Sequence, residues 1–373
     1  MTEPRSPFLD LPAAVGGQGV DAGVPAHYGN PVSEQRSLIG GAIVDLSHRS
    51  VLQVLGPDRL SWLDSLTSQS IAALSPGESA ESLLLDPTGR LEHVLRLIDD
   101  GESTWILVEA GDADALLGWL DRMRFMLRVE VADRSADYAT IGALVPPGSL
   151  PAAAPAGVAL VWRDPWRHIV AGGYQYARIE PHPGDDWTWT ETLVSRSALA
   201  DIAEAANRGH YRVAGLLAAE ALRIAAWRPR LATEADNRSI PHELDWMRSA
   251  VHLNKGCYRG QETVAKVHNL GHPPRRLVML QLDGSESIPV ARGDTVILGS
   301  GPDAREVGLV TSAANHHELG PIALAVIKRS VPEDAMLSVR AADGPVASAQ
   351  EIIVPADAGA TAGIVRLPRL GAR

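Results

Sequence analysis

The chain has 373 residues and only one cysteine, Cys257. That count excludes an intrachain disulfide and any metal cage built from several of its own thiolates. It fits a reducing, cytoplasmic setting. A surplus of cations is also missing. Lys and Arg total 34 against 45 Asp and Glu, a formal net charge of −11, which argues against a nucleic-acid coat or an anionic membrane surface as the partner. A local anion site stays open. No apolar run approaches the ~20 residues of a spanning helix; Leu277–Leu282 and Ile322–Ile327 are strand-length. The first residues lack the cationic start and continuous apolar stretch of a signal peptide. What is present is a globular balance, 45% hydrophobic and 21% charged, long enough for two or three domains at ~150 residues each.

Residues 1–37, rich in Gly and Pro and without periodicity, read as a mobile arm. From 38 to 136 the pattern is strand, helix, three strands, helix, strand. It includes a hairpin turning at Asp86-Pro87-Thr88-Gly89 and a helix over Asp112–Arg124. That is α+β material with a mostly antiparallel sheet. Residues 137–272 form a second α+β domain, with helices over Ala198–Asn207 and Tyr211–Ala225. After Pro273-Pro274 come six short strands punctuated by Gly and Pro, a small antiparallel β-barrel or sandwich over 273–356. Residues 357–373 read as a tail.

The chemistry concentrates in Leu253–Gly271, LNKGCYRGQETVAKVHNLG. Cys257 lies between Gly256 and Gly260, with Lys255 and Arg259 flanking it and Gln261 and Glu262 following. Cationic neighbours favour a thiolate. Lys255, Arg259, Lys266, Arg275 and Arg276 face a single acid, Glu262, so the stretch carries local positive charge in an acidic chain. The same residues also suit a tight turn around a buried thiol. The pairs His268/His272 and His316/His317 lack the helical setting that would align them, and no metal site is expected. In Glu220–Arg230, Arg223 either completes a helix C-terminus or reaches a carboxylate in a cleft, with Arg228 and Arg230 beside it.

Lys255-Gly256-Cys257-Tyr258-Arg259-Gly260-Gln261-Glu262 resembles the K-G-C-[FY]-x-G-Q-E signature of the YgfZ family, folate-binding proteins related to the glycine-cleavage T-protein, an aminomethyltransferase. Val44-Asp45-Leu46-Ser47-His48, Val54–Asp58, Leu222-Arg223-Ile224 and Gly308–Ser312 are similar to further family stretches. The resemblance implies α+β domains ringed around a central channel, plus a C-terminal barrel. It implies tetrahydrofolate or a one-carbon derivative in the channel. For this branch it also implies support of iron–sulfur cluster assembly or repair, with effects on cluster-dependent enzymes such as tRNA-modifying ones. Cys257, Lys255 and Glu262 are then the candidate catalytic group. Arg223, Trp227, Tyr258, Arg259, Gln261, His93 and Glu191 are the candidate folate contacts. The expected partners are folate and iron–sulfur client or assembly proteins; nucleic acid and membrane are not expected, and the oligomeric state is left open.

The chain also departs from the pattern. Where T-proteins carry an Asp pair, it has His93-Val94, with Glu92 one place earlier. The family glutamate after L-R-[IL] is Ala225, and the family glycine is Trp227, which either stacks on a pteridine or fills the core. The alternatives to the accessory role are a folate-dependent aminomethyl or one-carbon transferase using another acid or base, and a non-catalytic scaffold on the same fold.

Overall fold

The computed structural model describes residues 5–363. In chain order, β1 (Val15–Gly16) and β2 (Pro25–His27) form a small hairpin before helix α1 (Pro31–Ile39). Asn30 caps α1, accepting from Val32 and Ser33 N at 3.1 Å, with Pro31 at the first helical position. There follow β3 (Val44–Asp45), β4 (Ser50–Leu55), α2 (Arg59–Leu66), β5 (Ser79–Leu85), β6 (Leu91–Asp99), β7 (Ser103–Val108), α3 (Ala113–Met123) and β8 (Glu130–Asp133). Next are β9 (Tyr138–Ala143), β10 (Val161–Arg163), β11 (Thr190–Ser195), α4 (Leu199–Asn207), α5 (Leu216–Ala225), α6 (Leu231–Glu234) and α7 (Gln261–Leu270). The chain finishes with β12 (Arg275–Leu282), β13 (Thr295–Leu298), β14 (Arg305–His316), β15 (Gly320–Lys328), β16 (Leu337–Ala341) and β17 (Gly344–Ile352).

These elements make two antiparallel sheets and a barrel. The first sheet has the order β5-β6-β7-β4-β8, and the second β10-β11-β9-β3. β12-β15-β14-β13-β16-β17 close on themselves, β17 pairing back to β12. Alternation sorts the side chains of each strand. On the first sheet, Leu95 and Leu97 face outward onto α2 and α3 with Trp62, Leu63, Leu116 and Leu120. On the second, Ile141 and Val194 pack outward against Leu199 and Ile202 of α4. Val278, Leu280, Ala323 and Ala325 fill the barrel, while their neighbours Leu277, Met279, Ile322 and Leu324 turn outward. The inward faces of both sheets, the outside of the barrel and α5 share one further core, with Trp105, Trp162, Trp166 and Trp227 fully buried in it. The α+β multidomain architecture with a C-terminal antiparallel barrel is therefore the observed one.

Three expectations need correction. Residues 5–37 are not a loose arm. Phe8 and Val24 are wholly buried, Ser6 binds the buried Asp45 at 2.5 Å, and α1 already begins at Pro31. A few single anchors hold a segment whose composition lacks periodicity. The strand pair also crosses the expected 136/137 boundary, because β3 joins the second sheet by pairing with β9. Of the expected tail, residues 357–363 pack back on α7, where Thr361 N and Oγ1 both bond His268 O at 3.0 Å; residues 364–373 lie outside the described residues. No helix of the described residues is long and apolar enough to cross a membrane.

Candidate functional site

Strand β11 begins inside the run Trp187-Thr188-Trp189-Thr190-Glu191, where alternation puts both indoles and the carboxylate on one face. The two rings stack at 5.4 Å and 13°. Trp189 Nε1 donates to Glu191 Oε1 at 3.1 Å, and Trp187 Nε1 to Asp164 Oδ2 at 2.8 Å. Together with Leu46, Arg49, Arg96, Trp162, Arg223, Arg228 and Arg230 they line a cavity of about 40 Å³ where the two sheets and α5 meet. That volume holds on the order of one water.

The walls are ionic. Arg49 pairs with Glu191; Arg96 sits 2.9 Å from Glu109 and 3.7 Å from Glu191. Arg228 bridges Glu81 and Asp164. Arg230 grips Glu109 and, from the N-terminal hairpin, Asp21, each at 2.7 Å. Arg223 is held by Glu220 (2.8 Å), Glu234 (3.0 Å) and Ser312 (2.8 Å). Five arginines thus meet seven carboxylates, so this centre offers an incoming anion no spare cation. Burial works to raise the Glu191 and Glu109 carboxyls, but the arginines outweigh it: Glu191 lies below the usual range and Glu109 well below it. Three buried polar atoms of the lining make no hydrogen bond: Glu191 Oε2, Arg49 Nε and Arg228 Nη1. An acceptor flanked by donors, beside stacked indoles, suits a planar polar heterocycle such as a pteridine. The volume does not admit one without movement of the walls.

Two larger spaces adjoin this waist. Asp164 also lines an open cleft of about 670 Å³ with Glu81, Arg163, His168, Ser249 and His252. Glu220 also lines a cavity of about 500 Å³ between α1, α5 and the barrel.

The cysteine segment is mounted elsewhere. Lys255 Nζ is caged by the carbonyls of Asp64 (2.5 Å), Thr67 and Gln69 (2.8 Å each) at the end of α2, and burial lowers its pKa. Arg259 pairs with Glu92 at 2.5 Å and lies 5.4 Å over the Trp119 ring. Gly260, at φ +82°, meets the hairpin turn so closely that an added Cβ would stand 2.6 Å from Asp86 O and 3.0 Å from Gly89 Cα. Tyr258 is buried, and Gln261 Nε2 reaches back to Gly256 O at 3.3 Å. Glu262 occupies the first turn of α7. Cys257 itself is exposed and lines none of these cavities. The two cations expected to flank the thiol are therefore engaged by other partners. Arg275 and Arg276 likewise serve contacts of their own, with Asp236 and Glu243, and with Val331 O and Gln350.

Of the expected folate contacts, only Glu191 and Arg223 line the central cavity. Trp227 is wholly buried at φ +59°, edge-on to His182 at 5.4 Å, and borders a different cavity of about 380 Å³. That left-handed backbone is one glycine adopts without cost and tryptophan rarely does. On β6, Arg96 faces the central cavity, and alternation places Val94 on the same side; the register shifts at Glu92, whose carboxylate pairs with Arg259 over Trp119 of α3. His93 faces outward with Leu95, bonded to Asp112 at the start of α3 at 2.9 Å. The inward place thus carries Val94, a side chain without a proton to move. Arg49, Arg96, Glu81 and Asp164 escaped the sequence reading. The Trp-x-Trp-x-Glu alternation was the available signal for their neighbourhood.

No family model matches the chain. It is 26% identical over 335 residues to the aminomethyltransferase of Moorella thermoacetica, covering 87% of this chain and 89% of that protein. A chloroplastic Arabidopsis thaliana protein named as a transferase is 25% identical over 326 residues, or 82% of this chain and 69% of the other. The aminomethyltransferase of Bacillus subtilis is 30% identical over a shorter stretch of 121 residues, 31% of this chain and 33% of that protein. Glycine cleavage system aminomethyltransferase T from Bartonella henselae superposes with a TM-score of 0.69 at 18% identity, over 92% of this chain and 94% of that one. The chain is aminomethyltransferase-like, and its two α+β parts and closing barrel have the fold of that enzyme.

Proposed function

We propose that this chain binds tetrahydrofolate at the central cavity and handles a one-carbon unit carried on it. The observation that supports this most directly is the buried Glu191 Oε2, which accepts no hydrogen bond and whose ion-pair partner, Arg96 Nη1, stands 3.7 Å away. Such an acceptor suits the amino and ring N–H edge of a pteridine, and the indoles of Trp187 and Trp189 supply apolar walls. Glu191 would orient the ring. Arg49, held by the same carboxylate, fixes the rotamer of Glu191, and the surrounding ion pairs exclude bulk water. When bound, tetrahydrofolate would supply the nitrogens that carry the one-carbon unit. The likeness to aminomethyltransferases over most of the chain favours one-carbon transfer. With Val94 on the inner face, that transfer would draw its acid or base from a residue other than the Asp of the T-protein pattern.

Calorimetric titration with tetrahydrofolate tests the reading. Glu191→Gln should weaken binding by about tenfold or more, since a buried ligand N–H loses its charged acceptor. Failure of the unaltered chain to bind tetrahydrofolate defeats the proposal.

A second reading, a folate-dependent accessory role for iron–sulfur proteins, is favoured by one observation: Cys257 is exposed on a rigidly held loop. A single thiolate cannot hold a cluster unaided, so a second chain or an external thiol would complete the ligands. If cluster-dependent enzymes keep full activity in cells carrying only Cys257→Ala, this reading is lost. Formation of methylene-tetrahydrofolate from an aminomethyl donor would decide for transfer.

A further inference from the structure

The hub takes one of its seven carboxylates from an unexpected place. Asp21 sits at the tip of the N-terminal hairpin, in a short turn over Gly19–Asp21. Gly19 (φ +60°) and Gly23 (φ +91°) flank it in backbone conformations that favour glycine. Between Gly17 and Ala22 the backbone hydrogen bonds stay within the hairpin, from Gly17 N to Val24 O, Asp21 N to Gln18 O and Ala22 N to Gly19 O. At the hinge, Gly23 O accepts from Ser6 N at 3.2 Å; beyond that point, what ties the tip to the body is the Asp21 carboxylate. It grips Arg230 with both oxygens, Oδ1 at 2.7 Å from Nη2 and Oδ2 at 3.2 Å from Nη1, and lies 3.3 Å from His48 Nε2. Burial would raise this carboxyl, but the contacts with His48 and Arg230 outweigh it and hold it far below the usual range. Arg230 is itself 3% exposed and lines the central cavity.

We propose that Gly19–Gly23 is a latch, and that Asp21 occupies on Arg230 the place a tail carboxylate of tetrahydrofolate takes when it binds. This rests on the folate reading above. A fork-to-fork carboxylate–guanidinium pair is the geometry by which arginine recognises a ligand carboxylate. Here a glycine-hinged, solvent-facing tip supplies that group in place of a rigid element. The competition is for the guanidinium, not for the space of the ring. Any ligand bearing a carboxylate therefore binds with an apparent affinity reduced by the fraction of chains whose latch is closed.

The test is a tryptophan-fluorescence titration of the full chain and of Asp21→Asn with two probes. One is tetrahydrofolate; the other is 6-methyltetrahydropterin, which has the ring but no tail carboxylates. Asp21→Asn should bind tetrahydrofolate about tenfold more tightly and the pterin with unchanged affinity. Equal tetrahydrofolate affinity, weaker affinity, or the same gain for both probes overturns the latch and leaves the folate reading standing. If neither form binds tetrahydrofolate, the folate reading falls and takes the latch with it. A measurement on the unaltered chain guards against a misfolded variant. Hydrogen exchange of residues 16–24 should accelerate when tetrahydrofolate is added, and unchanged or slower exchange overturns the latch.

Discussion

Arg228 and Lys255 are both buried cations, with side chains 6% and 3% exposed, yet they are neutralised in opposite ways. Arg228 faces two full charges, Glu81 and Asp164, and lies over the Trp166 ring at 5.2 Å. Lys255 faces three main-chain carbonyls, with the Asp64 carboxylate further out at 3.4 Å. The first arrangement is a network in which each member depends on the others. The second is a peg that fixes a loop to the end of a helix. Ionic walls around a cavity can exchange partners when a charged ligand arrives; a carbonyl cage has nothing to exchange. The centre is thus built to respond, and the cysteine loop to stay where it is.

Removing each cation in turn sharpens that contrast. Arg228→Ala leaves Glu81 and Asp164 buried without a counter-ion and should lower stability by about 3–5 kcal/mol in urea unfolding. A loss under 1 kcal/mol would mean the hub is not a network. Lys255→Ala forfeits a set of charge-assisted hydrogen bonds without stranding a bare charge in the interior. About 2–3 kcal/mol is expected, and a loss as large as that of Arg228→Ala would erase the distinction.

Acid should be felt in the layer behind the centre, where Trp166 contacts both His182 and Arg228. His182, beside Arg248 against Trp166, has its pKa lowered to about 4 by burial and by that arginine. Between its ordinary value near 6.5 and 4, the unfolded chain binds a proton there that the folded chain refuses, so stability falls as pH drops through that window. From pH 7 to 5 the unaltered protein should therefore lose about 2 kcal/mol more than His182→Gln. Parallel losses would remove His182 from the account. The smallest effect belongs to Cys257→Ser, an exposed position, which should stay within about 0.5 kcal/mol. A larger loss would mean the thiol packs against something in solution.

The barrel was legible because its signals are local. Gly and Pro punctuate short alternating runs, and all six expected strands form. The hairpin at Asp86–Gly89 was legible for the same reason: Asp86 Oδ1 takes the amides of Thr88 and Arg90, a turn written in four residues. The hub was not legible. Arg228 finds Glu81 and Asp164 across 147 and 64 positions, and no window of sequence pairs residues so far apart. His93 shows a subtler gap. The T-protein pattern points to the right strand, but the apolar alternation of Leu95 and Leu97 already puts the His93 side chain on their outward face. The N-terminal segment misled because Phe8, Asp21 and Val24 act singly, and a lone anchor leaves no period to read.

The amide of Gln35, on α1, donates to Asn315 O and accepts from His317 N, both at 2.8 Å, at the tip of the hairpin between β14 and β15. The partners are 280 and 282 positions apart. During synthesis, then, α1 leaves the ribosome long before this clasp exists, although Glu34 of α1 can already take the amide of Gly215 ahead of α5. Contacts of such separation form late and slowly, so a nascent chain stalled short of the barrel would lack this clasp on α1, while Ser6, Phe8, Asp21 and Val24 could already hold the segment before it.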